Sequence, residues 1–280
     1  MATSVADIGP LIQSKIASLL IDPLFQQAST FLSLGVRSFQ TSVPLSIPTI
    51  SGHYSPGFVA ENALIPTADA VDFDSVKLMP STMESLKLIT TVSQESLRQS
   101  SQSLDSILQA RLTADVADKI DSQAWGATGD GITQPKGFQA WTGLQEVAIT
   151  ADVDGLLDLQ AAALASNIPP GSLKFVMSPA TFSSLRKLKD NTGNYLVQPD
   201  VRQGAGFVLL GTGITLTSKL PDDQVVLLDP QAVAVAIDEN PRVEILRERY
   251  ADYDQVGIKI VARIDWAPVA PNSIIVGTVG

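Results

Sequence analysis

The chain has 280 residues, of which 45% are hydrophobic and 17% are charged. This composition excludes an intrinsically disordered chain, and the length allows one elaborate domain or two smaller ones. The formal net charge of −10 leaves no large cationic surface that could bind nucleic acid through its phosphates. Cysteine is absent, which excludes disulfides and thiolate metal sites and fits a reducing compartment.

The N-terminal region has a helix-like spacing of apolar residues between Leu11 and Phe25. Lys15 and Asp22 interrupt this apolar stretch, and no basic segment precedes it, so we predict neither a signal peptide nor a membrane span. We interpret the region as an amphipathic arm. Its apolar face is expected to lie against the core or a partner subunit.

The segment from Ser38 to Val92 is β-prone and is divided into short pieces by prolines. Polar and apolar residues alternate most clearly over residues 71–78 and 83–92, which predicts two strands joined by a loop. A hairpin of this length with polar residues on both faces cannot be entirely core. We therefore expect it to project from the body of the protein.

The segment from Ser103 to Trp125 predicts one long helix, about 35 Å in length at about 1.5 Å per residue. Ser103 is a good N-cap, because its hydroxyl can accept a hydrogen bond from a free amide of the first turn. Apolar residues follow the i, i+3, i+4 spacing of a helix stripe: Leu104, Ile107, Leu108, Leu112, Val116 and Ile120. The glycines Gly126, Gly129 and Gly131 then end the helix. A shorter helix is predicted just before it, at Ser93–Gln99.

The second half of the chain alternates between helices and strands. Helices are predicted at 153–166 and at Pro179–Lys189, where Phe182, Leu185 and Leu188 would face inward. Strands are predicted at these positions: Leu173–Met177, Ile214–Thr217, Val225–Leu228, Val233–Ile237 and Ile274–Val279.

Two longer strands are predicted from Val243 onwards, around the polar turn Tyr250–Gln255. The second strand alternates cleanly, and one face would be packed: Ile258, Ile260, Ala262, Ile264 and Trp266. The other face would meet water: Lys259, Val261, Arg263 and Asp265.

We predict no catalytic, cofactor-binding or metal-binding residue. The single histidine, His53, is interpreted as a loop residue without a chemical role. Four groups could suggest phosphate binding, cation binding, nucleophilic catalysis and a subunit contact, respectively. They are the glycines Gly126, Gly129, Gly131, Gly204, Gly206 and Gly211; the aspartates Asp72, Asp74, Asp152 and Asp154; the serines Ser178, Ser183 and Ser184; and the basic residues Arg186, Lys187 and Lys189. Turns, helix caps and solvated faces explain them better, because none completes a known motif.

Several segments, in order, resemble the major capsid proteins of tailed bacteriophages of the Hong Kong 97 type. They are residues 60–78, the following 92–112, the helix end and glycine turn 125–138, the strand, helix and turn of 176–196, and the closing strand IIVGTV. The resemblance spans roughly residues 35–280. No single segment is as specific as a set of zinc ligands, and the resemblance rests on their order.

The resemblance implies an α+β fold with four parts. These are an N-terminal arm at 1–37, an extended loop at 38–92, a peripheral domain with a long spine helix at 93–140 and 238–266, and an axial α/β domain at 141–237 and 267–280. The extended loop would reach over a neighbouring subunit, and the axial domain would gather round the five- and six-fold axes. The unpaired surfaces of the arm and the hairpin would then be buried between copies.

The resemblance also implies a function. Copies would assemble into hexamers and pentamers of an icosahedral head shell enclosing double-stranded DNA, in the virion of a tailed phage or prophage, after assembly in the host cytoplasm. Partners would be the chain itself, a portal protein and a separate scaffolding protein, with non-specific proximity to the packaged DNA and no membrane contact. No enzymatic activity is expected.

Some family members join subunits by an isopeptide bond between an extended-loop lysine and an asparagine, promoted by a glutamate. The matching positions here hold Ile65, Asp254 and Val261, so no such bond is expected. Many members also carry a long N-terminal scaffolding segment, whereas only the short arm is expected here, so scaffolding would be either a separate protein or unnecessary.

Three alternatives remain from the sequence. An encapsulin-like nanocompartment shell shares the fold and would enclose cargo enzymes. An enzyme with a β-rich domain is disfavoured by the lack of catalytic motifs. A phage decoration or tail-tube protein would not need the long spine helix.

Overall fold

The computed structural model describes residues 29–51, 58–62, 72–93, 104–150, 152–188, 208–246 and 248–279. The arm before Ser29, His53, Ile65, the helix predicted at Ser93–Gln99 and the turn at 190–194 lie wholly or almost wholly outside these ranges. Within them the chain forms helices packed on two sheets, together with a separate two-stranded hairpin.

The described helices are a single turn α1 at Thr30–Ser33, α2 at Leu104–Ala124, α3 at Val153–Ala165 and α4 at Pro179–Arg186. The predicted long helix is confirmed within one residue at each end. The helix stripe is confirmed for Leu112, Val116 and Ile120, which are buried. The helix predicted at Pro179–Lys189 ends earlier, at Arg186.

A four-stranded sheet has the order β1-β10-β11-β4, with β1 at Arg37–Gln40, β4 at Leu86–Ser93, β10 at Val233–Leu246 and β11 at Gln255–Pro268. β10 is one continuous strand, so the prediction of a separate short strand ending at Ile237 is wrong. The register with β11 shifts between Ile237 and Glu239 and again between Glu239 and Arg242. These irregularities accommodate Pro241, which cannot donate to the strand ladder.

The two-stranded hairpin consists of β2 at Leu45–Ser51 and β3 at Asp72–Leu78, which pair in antiparallel fashion. The predicted pairing of residues 71–78 with 83–92 is wrong, because β4 pairs with β11 instead. Met79 has a φ of +55°, and Met83 donates its N–H to the Pro80 carbonyl. This turn redirects the chain out of the hairpin and into the sheet.

A six-stranded mixed sheet has the order β5-β12-β9-β6-β8-β7. Its strands are β5 at Gln145–Ile149, β6 at Lys174–Met177, β7 at Val208–Leu209, β8 at Thr212–Leu216, β9 at Gln224–Leu228 and β12 at Ile274–Val279. The strands predicted near β6, β8, β9 and β12 are confirmed to within two residues at each end.

Helices α3 and α4 contribute to the same apolar core with this sheet. Leu156, Leu159, Phe182 and Leu185 share a buried cluster with strand residues such as Phe175. The alternate strand residues Val176, Val226 and Leu228 belong to a second core, which also contains α2 and the four-stranded sheet. The six-stranded sheet is therefore packed on both faces, as the mostly apolar strands require.

A chain of aromatic rings lies where α1, α2 and the four-stranded sheet meet. Phe31 contacts Trp125 and Trp266 at centroid distances of 5.9 and 5.4 Å, and Phe138 contacts Trp125 and Trp141 at 5.6 and 5.4 Å. Such ring pairs stabilise a core beyond their buried area. They fix the short α1 turn against the C-terminal end of α2.

Candidate assembly surfaces

The base of the hairpin is packed on the four-stranded sheet. Leu78, Met79 and Met83 form a buried cluster with Ala234 and Ala236 of β10. These alanines alternate along β10 with residues that face the second core. The hairpin base therefore covers the face of the sheet opposite α2. A large part of the β11 face that was predicted to be exposed to solvent is buried.

Asp265 of β11 is buried on this covered face, so the prediction that it meets water is wrong. Its carboxylate accepts hydrogen bonds from the backbone N–H of Met79 at 2.7 Å and of Trp266 at 2.8 Å. Burial raises the pKa of the Asp265 carboxyl above its ordinary value of 3.8, while the two hydrogen bonds oppose this shift. Val261, predicted on the same wet face, is also buried.

The glycine-rich turn after α2 holds the other side of the hairpin base. Asp130 accepts hydrogen bonds from the backbone N–H groups of Ile132, Thr133 and Gln134, which lower the pKa of its carboxyl well below the ordinary range. The Thr82 hydroxyl and the Glu84 N–H donate hydrogen bonds to the carbonyls of Ile132 and Thr133 in this turn. The segment that holds Gly126, Gly129 and Gly131 thus forms a turn, as predicted.

Asp121 fixes the point where the N-terminal arm enters the described fold. This buried carboxylate on α2 accepts hydrogen bonds from the hydroxyls of Ser29 and Thr30, at 2.6 and 2.9 Å, and from the backbone N–H groups of Thr30 and Phe31, at 2.8 and 3.1 Å. All of these donors lie at the start of α1. Asp121 therefore caps a helix from which it is distant in sequence.

The sequence reasoning did not single out Asp121 or Asp265. No local signal marked Asp121, because Asp118 likewise follows a buried residue of the stripe, Ala117, and is itself exposed. For Asp265 the strand alternation gave the opposite indication.

Two of the candidate residues cap helices. Asp152 accepts a hydrogen bond from the Gly155 N–H and caps α3, as predicted. Ser178 accepts from the Thr181 N–H and caps α4, and it donates to Asp222. Asp254 has a φ of +49° in the turn before β11. Among the described residues, no three acidic or histidine side chains are grouped so that they could hold a metal ion.

Large apolar side chains remain exposed at several places. Phe58 and Val59 lie in the connection between β2 and β3. Leu157 and Leu164 lie one above the other on the outer side of α3, and Leu88 and Ile89 lie on β4, an edge strand of its sheet. Exposed apolar side chains and open sheet edges are typical of surfaces that a partner covers.

The model of the phage capsid family matches residues 9–279. The chain belongs to this family. A comparison of this capsid protein with curated proteins gives no match. No helix among the described residues is long and apolar enough to cross a membrane.

Solved structures from a GTA particle and from phages have the same fold. The capsid of an empty GTA particle superposes with a TM-score of 0.73 at 18% identity, covering 90% of this chain and 90% of that one. A protein of Microbacterium phage Oxtober96 gives 0.72 at 14% identity, covering 90% and 91%. A protein of Mycobacterium phage Cain gives 0.67 at 20% identity, covering 100% and 98%. The predicted resemblance and fold class are confirmed, and the chain is a capsid protein of the virion.

Proposed function

We propose that copies of this capsid protein assemble into hexamers and pentamers that close into the icosahedral head shell of a tailed phage or prophage. The observation that carries the proposal is the family match over nearly the whole chain. The apolar surfaces on the β2–β3 connection, α3 and β4 support it, because a single copy leaves them exposed. Many weak, repeated contacts are sufficient to hold such a shell together.

The proposed parts keep their predicted limits: arm 1–37, extended loop 38–92, peripheral domain 93–140 and 238–266, and axial domain 141–237 and 267–280. The pairing of β4 with β11 ties the end of the extended loop to the peripheral sheet. Strand β10 crosses the limit at 237/238, and so connects the peripheral and axial parts directly. The proposed role of β4 and β10 is mechanical, because these strands connect the parts of the subunit.

The remaining partners follow from the same proposal. A portal protein and a separate scaffolding protein would contact the shell, and double-stranded DNA would fill it. The net charge of −10 suits a container for DNA, because an acidic inner surface would not retain the polymer during packaging. We assign no catalytic reaction to the chain.

Negative-stain microscopy of the purified chain tests the proposal. We expect closed spherical particles, with or without a co-expressed scaffolding protein from the same genome. Particles isolated from producing cells should protect double-stranded DNA from nuclease. Cargo enzyme in place of DNA would support the nanocompartment alternative, and tubes or persistent monomers would contradict a shell.

A further inference from the structure

The chain passes between the four-stranded and the six-stranded sheet at three crossovers. They end at or consist of residues 141–145, 229–232 and 269–273. The Val269 N–H donates to the Ala232 carbonyl at 2.8 Å, which joins the second crossover to the third. The Gln145 side chain donates to the Asn272 carbonyl at 2.7 Å, which joins the first to the third. The covalent links between the sheets therefore lie together, as in a hinge, and a small rotation about them strains the chain least.

An apolar core also joins the two sheets. Val176, Val226 and Leu228 of the six-stranded sheet share this core with Ile120 of α2 and Ile264 of β11. Apolar attraction follows the buried area and has no preferred direction, whereas a hydrogen bond weakens steeply when it is bent. The core therefore holds the sheets together, and directional contacts are needed to fix the angle between them.

The single turn α1 makes such contacts on both sides. Its N-terminal end is bound to Asp121 on α2. After its C-terminal end, the Leu34 carbonyl accepts a hydrogen bond from the Lys174 ammonium group at 2.7 Å, and Lys174 lies on β6, an inner strand of the six-stranded sheet. The next carbonyl, that of Gly35, accepts a hydrogen bond from the Gln231 side chain at 2.9 Å. Hydrogen bonds from a charged donor are stronger than those between neutral groups, so Lys174 is the principal contact on this side.

The apolar side chains of the same segment are inserted into the shared core. Phe31 is 2% exposed and Leu34 is 1% exposed, and both belong to the core that contains residues of the two sheets. Close-packed interiors transmit displacements, because side chains interdigitate with few voids. A shift of α1 therefore moves its neighbours in both sheets.

We propose that α1 is a latch that fixes the angle between the two sheets about the grouped crossovers. Asp121 is its contact on α2, and Lys174 is its contact on the six-stranded sheet. The latch lies within the proposed arm at 1–37, at the point where the arm meets both sheets. The inference concerns a single copy and does not depend on the proposed shell.

A distance measurement within the unassembled chain tests the latch. Thr91→Cys on β4 and Asp158→Cys on α3 are exposed positions that place one spin label beside each sheet, and the chain has no cysteine of its own. Pulsed electron paramagnetic resonance gives the distribution of distances between the labels. Lys174→Met, which removes the donor to Leu34, should broaden this distribution and shift its mean by about 2 Å. Lys174→Arg keeps a charged donor and should restore the original distribution.

Two further variants complete the test. Lys187→Met changes an exposed lysine at the end of α4 and is the control that should leave the distribution unchanged. Gln231→Ala changes an exposed side chain, so it tests the latch even where Lys174→Met does not fold, and it should give a smaller shift in the same direction. Lower stability with an unchanged distribution in the folded variants would overturn the latch and leave the proposed shell intact.

Discussion

The carboxylate of Asp121 on α2 accepts a hydrogen bond from the backbone N–H of Thr30 at 2.8 Å. With the Phe31 N–H at 3.1 Å, it satisfies two backbone donors at the start of α1 that have no intrahelical partner. Asp121 is therefore one of the groups that fix the start of α1 against α2.

Asp121→Ala should lower the free energy of unfolding of the unassembled chain by about 2–4 kcal/mol, because backbone donors that are buried or partly buried lose their acceptor. Urea denaturation measures the change. Asp118→Ala is the matched control: this exposed side chain one turn earlier pairs with Lys219 at 2.6 Å, and its loss should cost less than about 1 kcal/mol. Equal effects of the two substitutions would contradict the capping role.

Asp265 should make stability depend on pH in a direction opposite to that of a salt-bridged carboxylate. Because its pKa is raised in the folded chain, the folded chain binds more protons than the unfolded chain between pH 3.8 and the folded pKa. The contribution of Asp265 to the free energy of unfolding therefore rises as pH falls through this window.

Comparison with Asp265→Asn isolates this term, since both proteins share every other titrating group. The unmodified chain should gain stability relative to Asp265→Asn as pH falls from about 7 towards about 4. Thermal unfolding of both proteins across this range measures the difference. A constant difference, or one of opposite sign, would show that the pKa of Asp265 is not raised.

Gly129→Ala should destabilise the turn after α2. Gly129 has a φ of +97°, and a Cβ atom there would lie 2.0 Å from the Pro135 carbonyl oxygen. We expect a loss of about 2 kcal/mol or more, seen as a lower melting temperature. Gly171→Ala is the control, because a Cβ at Gly171 meets no atom within 4 Å, and the change should stay within about 0.5 kcal/mol.

Two adjacent leucines of α3 should respond differently to truncation. Leu156 is 1% exposed and Leu157 is 45% exposed. Leu156→Ala should cost about 2–5 kcal/mol through lost burial and a residual cavity, whereas Leu157→Ala should stay within about 0.5 kcal/mol. Chemical denaturation of the unassembled chain measures both. A large loss for Leu157→Ala would show that this side chain is already covered within one copy.

The sequence predicted the helices and strands that a local pattern of residues specifies. The α2 helix has a regular apolar stripe and is followed by glycines, and β11 has a strict alternation, so both were located to within a few residues. Pairing partners depend on distant segments, and the alternation of β3 and β4 could not show that each pairs with another strand. Pro241 cannot donate to a strand ladder, but a bulge between longer paired stretches tolerates it.

The assembly surfaces were predictable only in outline. A hairpin in this part of the chain could be inferred, but its strands were assigned wrongly, since β3 pairs with β2 and not with β4. Asp265 could not be recognised as buried, because its burial depends on Met79, which lies far away in sequence and contacts it through a turn that no local pattern specifies. The same holds for Asp121 and the residues of α1.

Besides the buried side-chain contacts of Leu78, Met79 and Met83, the hairpin base is held through main-chain groups, namely the N–H of Met79 on Asp265 and the N–H of Glu84 on the Thr133 carbonyl. Any residue except proline supplies such an N–H. The exposed side chain at position 84 can therefore vary during evolution without releasing its hydrogen bond, whereas Met79 is also buried in the hairpin base. Related chains can in this way change the exposed surface beside the glycine-rich turn while the hairpin base keeps its place on the sheet.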